Sequence, residues 1–313
     1  MLSSNLHRKE FAFALVLSAV FTVALFYSTL EAPVLLDKVL HQYFPEVFYD
    51  VEATERALSV LRPIGYSALA ITIALILLGF MIKKSILASL GSLVLYIPTF
   101  GYFAYAMFFL TGIGVLRVLW LPLLELSPST LKLGCIVYLP FSVVPHAPLL
   151  GLIITFTGLF VFLLGVTTWL YGKFKGYEIV DFWIYKYSRH PQYLGFILWS
   201  LGLLVFVSSK VYVRGAFTTP PALIWLTSSM LVVGIALVEE LEMRRKYGDK
   251  YEEYCRKTPF MISLLGVLSR AIRAPLKLTG GYPRSTREIA FALTLYTATF
   301  IAISYVLMLL SLC

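Results

Sequence analysis

Apolar residues come in runs of about twenty, separated by short polar stretches, and a run of that length is what a helix needs to cross the hydrocarbon core of a bilayer. Such runs predict spans at 11 to 30, 64 to 82, 86 to 112, 149 to 171, 193 to 209, 222 to 238 and 288 to 312. The stretch "LKLGCIVYLPFSVV", residues 131 to 144, is shorter and broken by Pro140. It predicts a re-entrant or interfacial piece rather than a span. The expected fold is all-α, a polytopic membrane helix bundle of about seven transmembrane helices.

The polar interruptions sort by sign, which tests the span list. Arg8 and Lys9 precede the first run, Lys83 and Lys84 lie between the second and third, and Lys173, Lys175, Lys186 and Arg189 between the fourth and fifth. The segment 239 to 287 adds Arg244, Arg245, Lys246, Arg256, Arg270 and Arg273, while the loop 31 to 63 carries Glu31, Asp37, Glu46, Asp50, Glu52 and Glu55. Seven spans with a cytoplasmic N-terminus put all the basic segments on one side, as membrane insertion favours. The net charge of +9 over 313 residues therefore reads as orientation and lipid contact rather than nucleic-acid binding. The first run is of full spanning length without a small-residue cleavage site, so it is expected to remain as the first helix. Cys135, Cys255 and Cys313 stand far apart, in no spacing that suggests a metal site or a disulfide framework.

The candidate chemistry is concentrated in residues 171 to 263. If the fifth and sixth spans form a hairpin, they bring the stretch "YEIVDFWIYKYSRHPQYLG", Tyr177 to Gly195, to the same membrane face as Glu239 and Glu240 and the stretch after them. Pro191 is placed to begin the fifth helix, where its missing N–H is harmless. The free amides of that helix start, with Arg189 and His190 outside it, suit an anionic group. Gly195, one turn in, leaves room for a close neighbour. Glu240 has Arg244 at i+4, an ordinary solvated helix pair, whereas Glu239 has Met243 there and no local cation. A ligand ammonium would serve Glu239. Tyr247, Tyr251 and Tyr254, at i, i+4 and i+7, predict a packing stripe.

These residues resemble those of the integral-membrane methyltransferases, which include isoprenylcysteine carboxyl methyltransferases and phosphatidylethanolamine N-methyltransferases. The resemblance covers roughly residues 175 to 263. It rests on Arg-His-Pro-x-Tyr-x-Gly at Arg189 to Gly195, the membrane hairpin, the pair Glu239 and Glu240, and a Tyr-Gly-x-x-Tyr-x-x-Tyr tail from Tyr247 to Tyr254 with Pro259 beyond. It implies S-adenosylmethionine as methyl donor, bound on the cytoplasmic side near the C-terminal part of the chain. The implied donor contacts are Tyr177, Glu178, Ile179, Val180, Tyr185, His190, Pro191, Gln192, Tyr193 and Glu239. Arg189, His190 and Glu240 are the implied catalytic residues. Arg189 and His190 would serve the donor's carboxylate, and for an amine acceptor the base would be Glu178 or Glu240. The implied acceptor is a lipid-like or prenylated small molecule in the membrane, and the implied organisation is an N-terminal transmembrane region 1–148, a methyltransferase-like core 149–263 and a basic interfacial segment with the last span, 264–313.

Several positions depart from that family's pattern. Trp183 stands in place of a glycine, Thr258 in place of a valine and Ser263 in place of a proline. Eukaryotic isoprenylcysteine enzymes hold the substrate carboxylate with an arginine one turn before the first glutamate, and that position here is Ile235. An acceptor other than a prenylcysteine carboxylate therefore fits as well. Two other functions remain open from the residues: an NADPH-dependent enzyme like the membrane sterol reductases, and a non-catalytic transporter or scaffold. Adjacent Glu239 and Glu240 favour methyl transfer over reduction.

Overall fold

The computed structural model describes residues 2–30, 59, 62–67, 69–71, 73–75, 77–78, 127–208, 220, 222–262 and 282–313. Every regular element among them is helical. The main helices are α1 (Leu2–Leu30), α2 (Ala147–Phe174), α3 (Pro191–Ser208), α4 (Ala222–Tyr247), α5 (Asp249–Lys257) and α6 (Thr286–Leu309). Four segments are long and apolar enough to cross a membrane: Arg8–Tyr27, Ala147–Phe174, Ala222–Tyr247 and Thr286–Leu309. They coincide with the expected spans at 11 to 30, 149 to 171, 222 to 238 and 288 to 312. The expected span at 193 to 209 is the shorter apolar helix α3. Only parts of 64 to 82 are described, and the span at 86 to 112 lies outside the described residues.

The chain divides into two compact units. The first comprises Met1–Leu25, Val144–Phe206 and Ser229–Thr299. Its frame is an antiparallel pair, α2 and α3, packed backbone against backbone. Glycines recur every seven residues on α2, at Gly151, Gly158 and Gly165, and again on α3 at Gly195 and Gly202. Seven residues are two helical turns, so each set lines one face. A Cβ on Gly151 would lie 2.7 Å from the Phe206 nitrogen, and one on Gly165 would lie 2.8 Å from the Gln192 nitrogen. A Cβ on Gly158 would strike the backbone of Trp199, and one on Gly195 that of Phe162. The close neighbour anticipated at Gly195 is therefore helix α2. Between apolar helices in lipid, this backbone approach supplies the dispersion contact that a hydrophobic driving force does not.

Helix α1 joins the same frame through a stripe of small residues at four-residue intervals, Ala14, Ser18 and Thr22, all buried while most of the helix is exposed. The Ser18 hydroxyl donates to the Leu163 carbonyl at 2.9 Å. Phe21 stacks on Phe162, and Glu10 pairs with Lys175 at the other end of the contact.

The second unit comprises Phe26–Val143, Val207–Ser228 and Phe300–Cys313. The stretch 131 to 144, expected to be a re-entrant or interfacial piece rather than a span, carries two short helical turns, Cys135–Val137 and Leu139–Ser142, preceded by a third at Pro128–Leu131. One expectation fails here. Cys135 and Cys313 are joined as a disulfide, so two of the three cysteines are paired and Cys255 is free. A separation of 178 residues leaves no local spacing to read, and the pairing follows from the tertiary placement of the C-terminal tail. The tail is also held by Lys132, whose ammonium donates to the Cys313 carbonyl at 2.7 Å. Gly134 completes the contact, because a Cβ there would lie 2.6 Å from the Ala222 carbonyl oxygen.

Candidate functional site

The site lies in the first unit, where the start of α3 meets the end of α4. Pro191 is the first residue of α3, and the Ser188 hydroxyl accepts from the His190 amide at 3.3 Å, just before that start. Gln192 and Tyr193 are thus presented by the first turn. The preceding loop is shaped by an aromatic cluster. Trp183 has φ of 49°, a left-handed conformation that costs a bulky residue of order 1–3 kcal/mol. This is the position where the resembled family carries glycine, and the conformation explains that preference. Here the indole stacks on Tyr171 at 5.1 Å between ring centres and meets Phe11 and Phe182 edge-on, contacts that offset the strain.

The loop is braced from outside by α5 and the residues after it. The Tyr254 hydroxyl donates to the Tyr185 carbonyl at 2.8 Å, and the Arg189 amide donates to the Pro259 carbonyl at 3.0 Å. Burial raises the Tyr254 hydroxyl above its ordinary pKa, keeping it a donor. The tyrosine stripe differs from its expected form. Tyr247 ends α4, Gly248 turns the chain with φ of 51°, and only Tyr251 and Tyr254 share the buried face of α5. Thr258 is held through its backbone, whose carbonyl accepts from Arg189 at 2.6 Å, and through its hydroxyl, which donates to the Lys186 carbonyl at 3.5 Å.

At the end of α4 the two glutamates diverge. Glu240 is 1% exposed and closed on all sides. Arg189 Nε donates to its Oε1 at 2.6 Å and Arg189 Nη2 to its Oε2 at 3.2 Å, a two-point fork. His190 Nε2 lies 3.2 Å from Oε1, and the Tyr282 hydroxyl donates to Oε2. The Arg189 fork also donates through Nη1 to the carbonyls of Cys255, at 3.0 Å, and Thr258. Burial opposes the Arg189 charge, but the Glu240 carboxylate outweighs it and raises the guanidinium pKa. The solvated Glu240–Arg244 pair expected from i+4 spacing is replaced by this buried one, and Arg244 approaches Glu240 only to 3.8 Å. Five donors in a rigid fork satisfy a buried carboxylate and two carbonyls together, which a solvated pair does not.

Glu239 points elsewhere. It is half-buried and accepts from the Tyr193 hydroxyl at 2.6 Å. Beside it, the Tyr185 hydroxyl donates to Gln192 Oε1 at 2.6 Å, which orients the Gln192 amide. Of the other expected donor contacts, Val180 is buried against Gly172, Ile179 is half-buried and Tyr177 is exposed with its ring against Phe182. Glu178 is exposed and 3.6 Å from Lys250. The structure thus gathers Tyr185, His190, Pro191, Gln192, Tyr193 and Glu239 within hydrogen-bonded or adjacent positions. Tyr282 escaped sequence reasoning. Its only local signal is the turn sequence Gly280-Gly281-Tyr282-Pro283 ahead of α6. The basic stretch expected to lie along the leaflet at 262 to 274 is outside the described residues beyond Ile262.

What emerges is a helical protein with apolar helices of membrane-spanning length and a polar network gathered at the ends of two of them. A family model described as a protein of unknown function, DUF1295, matches residues 146–258, the segment that holds most of this network. The chain is similar to a protein-S-isoprenylcysteine O-methyltransferase of Schizosaccharomyces pombe, with 32% identity over 29% of this chain and 35% of that one. It is also similar to a probable protein-S-isoprenylcysteine O-methyltransferase of Oryza sativa subsp. indica, with 30% identity over 26% of this chain and 38% of that one. The matched part thus spans little more than a third of these curated relatives. The resemblance carried by Arg189 to Gly195, Glu239 and Glu240 is one that these comparisons also find. No solved structure matches the chain.

Proposed function

We propose that this protein is an integral-membrane methyltransferase that uses S-adenosylmethionine and methylates a membrane-embedded, lipid-like acceptor. The observation that carries the reading is the bond from Tyr193 to Glu239, which joins two elements of the resemblance 46 residues apart into one half-buried polar site. The names of the similar proteins favour methyl transfer over the reductase and scaffold readings.

The residues fit the ammonium end of the donor. Glu239 offers a carboxylate anchored on one side by a neutral donor, with no ion-pair partner within 4.0 Å among the described residues, and Tyr185 holds Gln192 in a fixed orientation next to it. When bound, S-adenosylmethionine supplies a methyl group on a positively charged sulfur, ready for in-line displacement. The chain's part in such a reaction is chiefly orientation and exclusion of water. Arg189, His190 and Glu240 take a different part from the one first expected. The Arg189 fork, the Glu240 carboxylate and His190 Nε2 are engaged with one another and with the tail carbonyls, so these are positioning residues that hold the start of α3 against the end of α4. Glu178, exposed beside Lys250, is better placed than Glu240 to exchange a proton with solvent.

The proposed topology has seven spans and a cytoplasmic N-terminus. Counting spans puts residues 113 to 148 and the C-terminus on the side opposite the basic loops. Cys135 and Cys313 are then on the side where disulfides persist, and the reduced Cys255 is on the other. Ile235, buried where the eukaryotic enzymes carry an arginine, favours an acceptor whose head group is not held by a cation at that point.

The test is calorimetric titration of the purified full chain with S-adenosylmethionine, followed by mass analysis of lipids methylated in membranes that contain it. Micromolar binding that Glu239→Ala abolishes is expected. Binding of NADPH instead, with none of the methyl donor, would sink the reading.

A further inference from the structure

On the other flank of the Arg189–Glu240 pair the first unit has an open cleft of about 680 Å³, lined by Arg189, Arg244, Arg245, Arg256 and Arg284 together with Glu252. Neither Glu239, Tyr193 nor Gln192 lines it. Besides Arg189, which precedes α3, three separate elements supply the arginines: the last turn of α4, the last turn of α5 and the stretch leading into α6. Five guanidiniums thus face one carboxylate within a single concavity.

The five differ in how far they are committed. Arg189 is bound to Glu240, and Arg244 lies 3.2 Å from Glu252 with its guanidinium over the Tyr282 ring at 4.9 Å. Arg244 Nε is buried with no acceptor among the described residues. Arg245, Arg256 and Arg284 are exposed, and among the described residues none of their side chains has an ion-pair partner within 4.0 Å. Membrane orientation alone asks only for positive charge somewhere in these segments. It does not ask that arginines from three elements turn toward one hollow, where their mutual repulsion is unfavourable unless an anion enters. Arginine's planar fork is the side chain best matched to phosphate oxygens.

We infer that this cleft is a binding site for a phosphate-bearing anion, of the phosphomonoester or diphosphate class, separate from the proposed donor site. Arg245, Arg256 and Arg284 make the contacts that confer affinity, and Arg244 and Glu252 form the floor. The source of the phosphate is either the head group of an anionic lipid in the adjoining leaflet or a soluble diphosphate compound. The two share the same oxygens and differ in the apolar chain they bring.

The test uses the purified full chain in detergent. Inorganic pyrophosphate is titrated calorimetrically at fixed ionic strength against the wild type and the variant Arg245→Gln/Arg256→Gln/Arg284→Gln. Short-chain phosphatidic acid and phosphatidylcholine are then titrated into the same micelles. The wild type is expected to bind pyrophosphate, and the triple variant to bind it about tenfold more weakly or worse, because charge-assisted contacts are lost. Phosphatidic acid bound more tightly than pyrophosphate identifies a lipid head group, and the reverse order a soluble ligand; either upholds the site. A control variant, Lys246→Gln/Lys250→Gln/Lys257→Gln, removes as much charge from exposed positions that do not line the cleft. Equal loss in the two variants, or equal binding by wild type and cleft variant, would overturn the inference. Binding of S-adenosylmethionine is measured in parallel and should be unchanged in the cleft variant, so this inference and the methyltransferase reading fail independently.

Discussion

Glu239 and Glu240 are neighbours on one helix, yet they sit in opposite chemical situations. Successive residues on a helix project about 100° apart, so one faces the start of α3 at Tyr193 and the other faces Arg189, His190 and Tyr282. Glu240 is sealed, its charge cancelled and its oxygens used. Glu239 is half-buried, accepts from the Tyr193 hydroxyl and has no ion-pair partner within 4.0 Å among the described residues. A closed carboxylate is worth most to the fold, because removing its partner strands a buried charge. A half-open one is worth most to a ligand, because the ligand supplies the missing cation.

That contrast can be broken at several points. The largest effect is expected from Arg189→Ala or Glu240→Ala, each leaving the other charge buried and unpaired, at a cost of about 3–5 kcal/mol in stability. Thermal unfolding of the purified protein measures it, and the double variant Arg189→Met/Glu240→Leu should recover much of the loss. If the single variants are as stable as the wild type, Glu240 is not sealed in the way described. Next comes Gly158→Ala, whose added methyl group meets the backbone of Trp199. It should cost about 1–3 kcal/mol through overpacking, read by the same unfolding assay, and it should weaken donor binding only indirectly.

Tyr282→Phe removes one donor from Glu240 and should cost about 1–3 kcal/mol, because a buried carboxylate oxygen loses a partner. Burial first, and then the Glu240 charge, raises the Tyr282 hydroxyl pKa above its ordinary value. Its stabilisation is thus fully present below the unfolded-state tyrosine pKa of 10.0 and is lost as the pH rises beyond it. The wild type should lose stability in that range more steeply than Tyr282→Phe, as pH-dependent unfolding curves will tell. Glu239→Gln sharpens the comparison from the other side. Its stability should stay within roughly 1 kcal/mol of wild type, since the bond from Tyr193 is retained, whereas donor binding should disappear. Smallest of all is Lys250→Ala, which removes an exposed pair with Glu178 and should change stability by less than about 0.5 kcal/mol.

Much of the architecture was legible along the chain. Uninterrupted apolar runs marked α1, α2, α4 and α6, and a proline at a favoured position marked the start of α3. Even the convergence of that start with the end of α4 followed from reading a hairpin between two apolar segments. Other features were hidden. The pairing of Cys135 with Cys313 has no local signature, and neither does the descent of Tyr282 onto Glu240. The i+4 rule named Arg244 as the partner of Glu240, and the structure chose Arg189, 51 residues away, because a buried carboxylate is better served by a rigid fork that also satisfies two carbonyls.

The sequence by itself determined where helices form, which segments are apolar enough to lie in lipid, and which residue types assemble at one end of them, since periodicity, run length and helix-start preferences are local properties. Only the tertiary structure decided which of two adjacent glutamates is locked among charged partners and which stays half-buried against a tyrosine. The same holds for the arginine that becomes a strut and those that line a cleft. Such choices depend on side chains that meet across tens of residues and compete for the same buried acceptors, and that competition is settled only when the helices have packed.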